Sequence, residues 1–309
     1  MTAGPGKLLL LDTPSLYFRA FFGVPDSIRA PDGSPVNAVR GLLDFVARLT
    51  TDRSPTHLVA CMDNDWRPAF RVDAIPSYKA HRVATGDEEQ VPDALTPQVA
   101  VIEEVLAAVG VPVIGVDGYE ADDVIGTLAT SSPRPVDVVT GDRDLFQLVD
   151  DARGVRILYT ARGVGKHEIV DEAAVTAKYG IPGRAYADFA TLRGDPSDGL
   201  PGVAGIGEKT AAALVTRYGS LAGILAALDA GDTAMPAGAR AKLDAARDYL
   251  AVAPVVVAVA TDVPVPAYDG VVPAQPHHPA RLLELSERWG LNTSLNRVLT
   301  AFTAQATAE

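Results

Sequence analysis

Acidic residues border the apolar segments of this chain in a pattern that could gather many carboxylates at one site. Asp12 ends the apolar run 7–11, and Asp63 ends the run 57–62. The acids at strand ends or helix starts that could converge are Asp12, Asp63, Glu120, Asp122, Asp123, Asp142 and Asp144, with Asp195 and Asp198 further along the chain. The stretch 117–151 has nine acids and two bases, a local net charge of −7. Neighbouring carboxylates repel by roughly 4 kcal/mol per pair at an effective dielectric of 20, so the pattern requires a neutralising partner.

The ligand types available favour a hard cation as that partner. With one cysteine, Cys61, and five scattered histidines, the candidate ligands are almost all oxygen. Oxygen ligands select Mg²⁺ or Mn²⁺ over Zn²⁺, and two such ions about 4 Å apart would form the clamp used for in-line displacement at phosphorus. The alternative is that single acids such as Asp122 or Asp123 only cap a helix or face solvent. The pair Asp142 and Asp144 is weak evidence alone, since phosphatases, topoisomerase-primase modules and glycosyltransferases also carry such pairs.

A glycine-rich turn at 200–212 could bind a phosphate. Its glycines allow a close approach of the backbone to a ligand, and a helix starting after the turn offers free N–H groups. The spacing does not fit a nucleotide P-loop, whereas it matches a helix-hairpin-helix that contacts the duplex DNA backbone. The turn could equally direct carbonyl groups at a monovalent cation, and an ordinary helix end followed by a new helix is the remaining alternative. The residues concerned are Gly202, Gly205, Gly207, Lys209 and Thr210.

A basic and aromatic stretch at 66–82 follows the apolar run that ends at Asp63. Its bases outnumber its single acid, Asp73, and aromatic residues are interleaved with them. Such a segment suits a nucleic-acid strand passing stacking side chains on its way to a metal site, although a solvated loop is the alternative. The neighbouring stretch 87–90 is predicted to be a solvated turn. The bases are Arg67, Arg71, Lys79 and Arg82, and the aromatics are Trp66, Phe70 and Tyr78.

The elements that must position these residues alternate between strands and helices. Apolar runs predict strands at 7–11, 57–62, 111–114, 136–139 and 155–158, and helical spacing predicts helices at 36–49, 92–109 and 121–129. Such alternation predicts a largely parallel sheet with its site at the carboxyl ends of the strands. From about residue 171 short helices follow. The later stretches are predicted to be irregular or extended at 254–279, helical at 281–299 and frayed at 303–309.

Composition limits the class of protein. The 309 residues are enough for two compact units. With 27 basic and 39 acidic residues, the net charge of −12 argues against a protein that coats nucleic acid by bulk attraction. The single cysteine excludes an internal disulfide and predicts no disulfide-linked partner. No apolar run approaches the roughly 20 residues of a membrane span, and no signal segment is evident, so we expect a cytoplasmic protein without a membrane partner.

Four segments of the chain resemble the 5′-nuclease family, the flap endonuclease and 5′–3′ exonuclease group that includes the N-terminal domain of bacterial DNA polymerase I. They are LLLDTPSLYFRAFF, FRVDAIPSYKAHR, GYEADDVIGTLA with VVTGDRDLFQLV, and GDPSDGLPGVAGIGEKTAAALV. The resemblance implies an α/β fold, with a resolvase-like (PIN-like), mostly parallel sheet flanked by helices and a C-terminal helical helix-2-turn-helix unit. It implies a nuclease domain at 1–180 with a helical gateway or arch at about 64–92. A helical DNA-binding unit at 181–302, with the helix-hairpin-helix at about 195–217, and a frayed tail at 303–309 would follow.

The same resemblance implies roles for individual residues. The ligands of a first metal would be Asp12, Asp63, Glu120 and Asp122, and those of a second would be Asp142, Asp144 and Asp198, with Asp123 and Asp195 nearby. Lys79 and Arg82 match gateway bases that bind and activate the scissile phosphate. The further DNA-binding positions would be Phe18, Arg71, Tyr78, Gly202, Gly205, Gly207, Lys209 and Thr210, and K⁺ would bind at the backbone carbonyls of Val203 and Ile206. The chain departs from the polymerase-linked members of the family at Thr13 and Pro14, where they have Gly-Ser, and it has Phe18 at a position of a base-stacking tyrosine.

The function implied is hydrolysis of DNA at 5′ ends and 5′ flaps, with two or more Mg²⁺ or Mn²⁺ ions per site and K⁺ at the hairpin. The partner would be duplex DNA with a 5′ end, flap, nick or gap, in cooperation with a DNA polymerase and a ligase. Two alternatives are a DNA-binding scaffold with an inactive centre and an RNase of the PIN type. No polymerase sequence follows Glu309 in this chain, so both a stand-alone enzyme and a part of a longer protein are compatible with it.

Overall fold

The structure is a computed structural model that describes residues 6–84, 86 and 88–307. Parts of three predicted segments lie outside the described residues: 1–5 of the nuclease domain, 85 and 87 of the gateway, and 308–309 of the tail. The strands are β1 Leu8–Asp12, β2 His57–Cys61, β3 Val113–Ile114, β4 Val136–Thr140, β5 Val155–Tyr159 and β6 Glu168–Val170. The helices are α1 Thr13–Gly23, α2 Asn37–Arg53, α3 Ala69–Ala74, α4 Thr96–Val109, α5 Ala121–Ser131, α6 Glu172–Tyr179, α7 Tyr186–Arg193, α8 Glu208–Tyr218, α9 Leu221–Asp229, α10 Ala237–Ala245, α11 Arg247–Val257, α12 Pro279–Trp289 and α13 Asn292–Ala306.

The strands form one sheet in the order β3-β2-β1-β4-β5-β6. Neighbouring strands are parallel from β3 to β5, and β6 alone runs antiparallel to its neighbour. In the central pairings Leu10 lies opposite Val59 on one side and Val138 on the other. The predicted mostly parallel sheet flanked by helices is therefore confirmed.

Alternate residues of β1 enter different cores, because successive side chains of a strand point to opposite faces of the sheet. Leu8 and Leu10 pack with α5 and with the helices between α6 and α11. Leu9 and Leu11 pack on the other face with residues of α2, α4, α12 and α13. With both faces covered, the strands of this parallel sheet read as continuous apolar runs.

Local signals in the sequence set the starts and ends of the elements nearest the acids. The carboxylate of Asp12 caps α1 by accepting from the backbone N–H of Ser15, and Pro14 suits the first turn of that helix. Helix α4 ends at Gly110, whose φ of 107° is readily adopted only by glycine. Helix α5 begins with a capping box in which Glu120 and Asp123 each accept from the other's backbone N–H.

The short helices between α6 and α11 pack onto the α5 face of the sheet. Leu214 of α8 and Ile224 of α9 join the same apolar core as Val138 of the sheet. Among the described residues no single helix is long and apolar enough to span a membrane. Helices α8 and α9 reach that length and apolar content only when counted together, and they meet at an 80° bend.

The prediction of a single helical unit at 181–302 is wrong for the residues after α11. Helix α12 packs against α4, and α13 packs against α2. Val298 and Phe302 of α13 share the apolar core of Leu42, on the face of the sheet opposite α5. The chain after α11 therefore returns to the nuclease sheet, and the two parts of 181–302 lie on opposite faces of it.

One strand was missed by the sequence analysis, and three further predictions differ from the structure. Strand β6 was not predicted, because it has only three residues and two of them are exposed. Helix α11 continues through Pro254 to Val257, so the predicted irregular segment begins later. The predicted helical stretch 281–299 is two helices, separated where Gly290 adopts a left-handed conformation. The predicted frayed tail is helical as far as Ala306.

Phe302→Ala should lower the free energy of unfolding by about 3 to 5 kcal/mol, because the ring is 1% exposed in the core shared with α2. Chemical denaturation of the whole chain measures the change. The control is Phe22→Ala, whose ring is 74% exposed and whose removal should change stability by about 0.5 kcal/mol or less. Equal small losses for both variants would contradict the packing of α13 on the nuclease sheet.

Candidate active site

Five of the predicted acids line one pocket at the carboxyl ends of the central strands. Asp12 is the last residue of β1, Asp63 lies two residues beyond β2, and Asp142 lies two residues beyond β4. Glu120 and Asp122, at the start of α5, line the same pocket, whose volume is about 220 Å³. The connections change direction between β1 and β4, and open α/β sheets usually hold their ligands at such a switch point.

Hydrogen bonds from the surrounding elements orient these carboxylates. The backbone N–H of Ser15 donates to Asp12 Oδ1 at 3.2 Å, and Thr140 Oγ1 donates to Asp12 Oδ2 at 2.6 Å. The backbone N–H of Ala121 donates to Asp63 Oδ1 at 2.7 Å. The start of α1, the end of β4 and the start of α5 therefore fix the direction of the acids that they bring together.

Asp144, Asp195 and Asp198 lie beside this pocket. The backbone N–H of Asp144 donates to Asp142 Oδ1 at 2.8 Å. Burial raises the pKa of Asp144 well above its usual value, and the charges of Asp142, Asp198 and Asp195 raise it further. Asp195 is in turn paired with Arg193, with 3.3 Å between Nη2 and Oδ2. A second group of acids therefore lies next to Asp142, outside the lining of the pocket.

Lys79 and Arg82 of the gateway line the pocket together with the acids. Lys79 Nζ donates to Glu120 Oε1, and Arg82 Nη2 donates to Asp198 Oδ1 at 2.8 Å. Lys79 has a φ of 49°, in the left-handed region that non-glycine residues rarely adopt. Its backbone N–H donates to the carbonyl oxygen of Asp198 at 2.9 Å, which helps to hold this conformation. The gateway is therefore docked directly on the acidic region.

Backbone groups make a very close approach at Gly199, where the gateway meets the loop that carries Asp198. Gly199 has a φ of 73°, and a Cβ atom there would lie 2.2 Å from the carbonyl oxygen of Ser77. Ser77 Oγ donates to the carbonyl oxygen of Gly199 at 2.9 Å. Only glycine fits this position without moving one of the two segments.

Asp123 does not join the pocket, although the resemblance placed it near the second metal. Its side chain is 0% exposed and accepts from Arg71 with both oxygens, at 2.7 Å each. The backbone N–H groups of Glu120, at 3.2 Å, and Ala260, at 2.8 Å, donate to the same carboxylate. Its lone pairs are therefore used within the protein, and we remove Asp123 from the ligand set.

Arg71 and Tyr78 are likewise buried, which contradicts their predicted contact with DNA in this conformation. Arg71 is 2% and Tyr78 is 4% exposed. Arg71 pairs with Glu120 and Asp123, and the hydroxyl of Tyr78 donates to Glu120 Oε2 at 2.8 Å. Phe18, by contrast, lies at the pocket, as a DNA-stacking residue would require.

Burial is the main cause of the unusual carboxyl pKa values in the pocket. It raises the pKa of Asp12 to about 7, against the hydrogen bond from Thr140 and with a further upward contribution from the charge of Asp63. Burial and neighbouring acids raise the pKa of Asp122 well above its usual value. Burial also raises the pKa of Glu120, despite its cationic neighbours. Without added positive charge, the pocket therefore resists full ionisation.

The donor set of the pocket fits hard divalent cations. Carboxylate oxygens predominate, and the lining contains neither histidine nor cysteine. Over residues 6–84, 86 and 88–307, no three acidic, histidine or cysteine side chains already form a compact ligand group. Mg²⁺ commonly keeps several waters and needs only one or two direct carboxylates, so its binding does not require such a preformed group.

The glycine hairpin forms a turn that opens α8, as the sequence indicated. Gly202 and Gly205 have φ values of 65° and 77°. Gly207 precedes α8, and the side chains of Lys209 and Thr210 at the start of that helix are exposed.

Several carbonyls of the hairpin already accept hydrogen bonds, including those of Val203 and Gly205. The carbonyl of Val203 accepts from the backbone N–H of Ile206 at 2.9 Å. The carbonyl of Gly205 accepts from Lys242 Nζ at 2.8 Å. Each carbonyl oxygen has two lone pairs, so these bonds leave room for a further partner.

Sequence reasoning missed several residues at or beside the pocket, among them Ser15, Glu89 and Arg19. Ser15 and Glu89 line it, and Ser15 Oγ accepts from the backbone N–H of Gly141 at 2.9 Å. Ser15 could have been found from its position in the first turn after Asp12, whereas Glu89 lies in a stretch that was predicted to be a solvated turn. Arg19, one helical turn beyond Ser15, donates to a backbone carbonyl at 3.5 Å, and its Nε is buried without a hydrogen bond.

The parallel sheet, the acidic pocket at its switch point and the helical unit with a glycine hairpin define a resolvase-like nuclease. Residues 7–180 match the family described as "5'-3' exonuclease, N-terminal resolvase-like domain", and residues 181–278 match "5'-3' exonuclease, C-terminal SAM fold". The chain belongs to the 5′-3′ exonuclease family, and it is a hydrolase of the nuclease class.

Three similar proteins illustrate the relationship. The chain is 62% identical over 301 residues to a 5′-3′ exonuclease of Streptomyces coelicolor, covering 96% of this chain and 100% of that protein. It is 44% identical over 227 residues to DNA polymerase I of Mycobacterium tuberculosis, covering 72% of this chain and 24% of the polymerase. The fold is similar to that of the bacteriophage T5 D15 flap endonuclease, solved in complex with DNA and metal ions. The TM-score is 0.64 at 16% identity, over 97% of this chain and 99% of the phage protein.

The thermal stability of the metal-free protein should fall as the pH rises from about 5 to 8. The pKa of Asp12 is raised to about 7 in the folded chain, against about 3.9 when unfolded. In that window the folded state binds more protons, so its stability decreases with pH. Mg²⁺ binds the ionised carboxylates and should therefore raise the melting temperature more at pH 8 than at pH 5.5.

Thermal melts with EDTA or with Mg²⁺ at both pH values measure this effect. Asp12→Asn is the matched variant, and it should show a flatter dependence of stability on pH in EDTA because one titrating group is removed. A melting temperature in EDTA that rises between pH 5.5 and pH 8 would contradict the analysis.

Proposed function

We propose that this nuclease is a divalent-metal-dependent 5′-3′ exonuclease and 5′-flap endonuclease that hydrolyses DNA and leaves a 5′-phosphate. The observation that carries the proposal is the single pocket in which five carboxylates face Lys79 and Arg82. Oxygen ligands for hard cations and positive charge for a phosphate are thereby combined in one place. The function would be removal of 5′ ends and flaps in replication and repair, in the cytoplasm, before a polymerase fills the gap and a ligase seals the nick.

Two sets of acids would hold Mg²⁺ or Mn²⁺ in the proposed active form. The first set is Asp12, Asp63, Glu120 and Asp122, and the second is Asp142, Asp144 and Asp198, with Asp195 close by. Bound divalent ions would supply an activated water and stabilise the leaving 3′ oxygen. Their charge would also relieve the repulsion that raises the carboxyl pKa values of the free pocket.

Lys79 and Arg82 would bind the scissile phosphate and stabilise the charge that develops at phosphorus. Burial is the largest single influence on the pKa of Lys79 and would lower it, but the charge of Glu120, together with smaller contributions from Tyr78, Asp198 and Asp63, raises that pKa well above its usual value. Lys79 is therefore a permanent cation at neutral pH. Phe18, beside the same pocket, would stack on a base of the substrate strand.

The hairpin and the start of α8 would bind the duplex portion of the substrate. The exposed Lys209 and Thr210 and the free N–H groups of the first helical turn suit backbone phosphates. We propose that K⁺ binds there through the carbonyls of Val203 and Ile206 and helps to neutralise the same phosphates. The substrates would be duplexes with a 5′ end, a flap, a nick or a gap.

Asp142→Asn should abolish cleavage of a 5′-labelled DNA flap while leaving flap binding largely intact, since the loss of a carboxylate removes no phosphate contact.

Lys79→Ala should lower the cleavage rate by about 10²-fold or more, with a smaller effect on affinity, because its contribution is expected in the transition state. Gel-based cleavage in Mn²⁺, Mg²⁺ and EDTA, together with binding in Ca²⁺, separates the two quantities.

Three outcomes of these assays would overturn the proposal. A wild-type protein that binds the flap but never cuts it in Mn²⁺ would be a DNA-binding scaffold. Preferential cleavage of an RNA flap would favour the RNase alternative. An Asp142→Asn variant that cuts at a near-normal rate would remove this acid from the metal site.

Lys209→Ala should reduce the slope of log affinity against log salt for duplex binding by about 0.9, because one phosphate contact is lost. Arg297→Ala is the matched control. It also removes one positive charge, but its side chain lies on α13 and pairs with Asp44 at 2.8 Å, on the face of the sheet opposite the hairpin unit. If the two variants have equal salt slopes, Lys209 is not a phosphate contact.

A further inference from the structure

The guanidinium of Arg71 is completely bonded inside the protein. Nη1 donates to Glu120 Oε2 at 2.5 Å and to Asp123 Oδ2 at 2.7 Å. Nη2 donates to Asp123 Oδ1 at 2.7 Å and to the carbonyl of Ala258 at 3.4 Å, and Nε donates to the carbonyl of Val256 at 3.0 Å. These bonds use all five N–H donors of an arginine, so no donor remains for a phosphate.

These partners come from three separate parts of the chain. Arg71 lies in α3 of the gateway, whereas Glu120 and Asp123 lie at the start of α5. The carbonyls of Val256 and Ala258, at the end of α11, belong to the chain that leaves the helical unit. Arg71 is therefore the point at which the gateway, the acid-bearing helix and the helical unit are joined.

The contacts of Glu120 show how this junction acts on the pocket. Glu120 Oε2 accepts from Arg71 and from the hydroxyl of Tyr78, whereas Oε1 accepts from Lys79. Oε2 is thus fixed by the two buried donors, Arg71 and Tyr78, and Oε1 faces Lys79 of the gateway. A planar guanidinium anchored on Asp123 restricts the orientation of the Glu120 carboxylate more than a flexible ammonium group could.

We propose that Arg71 is a positioning residue that fixes Glu120 for metal binding and does not contact DNA. Anchored by Asp123, it holds Oε2 so that Oε1 alone is available to an ion in the pocket, and Tyr78 supports the same oxygen. The inference rests on the proposed function, in which Glu120 is a ligand of the first metal. It predicts that loss of the guanidinium weakens metal binding and leaves DNA binding unchanged.

The test variants are Arg71→Lys, which keeps the charge but loses the planar fork, and Tyr78→Phe, which removes only the second donor to Glu120 Oε2. Calorimetric titration of the DNA-free protein with Mn²⁺ measures metal affinity directly. For Arg71→Lys we expect affinity to fall by about 10-fold, with the Mg²⁺ concentration for half-maximal flap cleavage raised by a similar factor. Tyr78→Phe should shift both in the same direction by a smaller factor. Flap affinity in Ca²⁺ and its salt slope should equal those of the wild type.

The matched control is Arg53→Lys. Arg53 also pairs with a buried aspartate, Asp137, at 2.9 Å, but at the other end of the sheet. This variant should lose stability without any change in metal affinity.

Three results would overturn the proposal. In the first, Arg71→Lys lowers flap affinity and salt slope while metal affinity stays the same, as a phosphate contact would require. In the second, Arg71→Lys binds Mn²⁺ as tightly as the wild type. In the third, Arg53→Lys and Arg71→Lys weaken metal binding equally, which would indicate a general loss of stability. The titration needs no DNA, so a wild type that binds Mn²⁺ but cuts no flap would contradict the proposed function alone.

Discussion

The mutual repulsion of carboxylates gathered at the end of one sheet is the constraint on which the rest of this structure depends. Parallel strands bring Asp12, Asp63 and Asp142 to a common edge, and the start of α5 adds Glu120 and Asp122. Two basic side chains of the gateway, Lys79 and Arg82, line the same pocket and partly neutralise its negative charge. Two of the contacts that hold the gateway to the nuclease domain are therefore made by the same charges that the pocket offers to metal ions and to a phosphate.

Much of this arrangement could be predicted because parallel sheets have a regular sequence pattern. Buried strands appear as apolar runs, and residues directly after them share one edge. The acids after β1, β2 and β4 obey this rule, and the glycine hairpin was visible because its glycines lie at fixed offsets before a helix.

The wrong predictions concern contacts between residues that are distant in the sequence, which no local sequence pattern reveals. Asp122 and Asp123 are adjacent in sequence, but consecutive helical residues point in different directions, so Asp122 faces the pocket and Asp123 faces inward to Arg71. The partner that decides this lies 52 residues away along the chain. The return of α13 to α2 was hidden for the same reason, because an amphipathic helix shows that it packs but not against which face.

Gly199 has a consequence for how this enzyme can vary. Because backbone meets backbone between Ser77 and Gly199, the spacing between the arch and the loop carrying Asp198 cannot be tuned by exchanging side chains. Substitutions at neighbouring positions can change the side chains that line the pocket. The distance between the gateway and this loop at Gly199, however, is fixed by main-chain contact and would change only if the loop itself were rearranged.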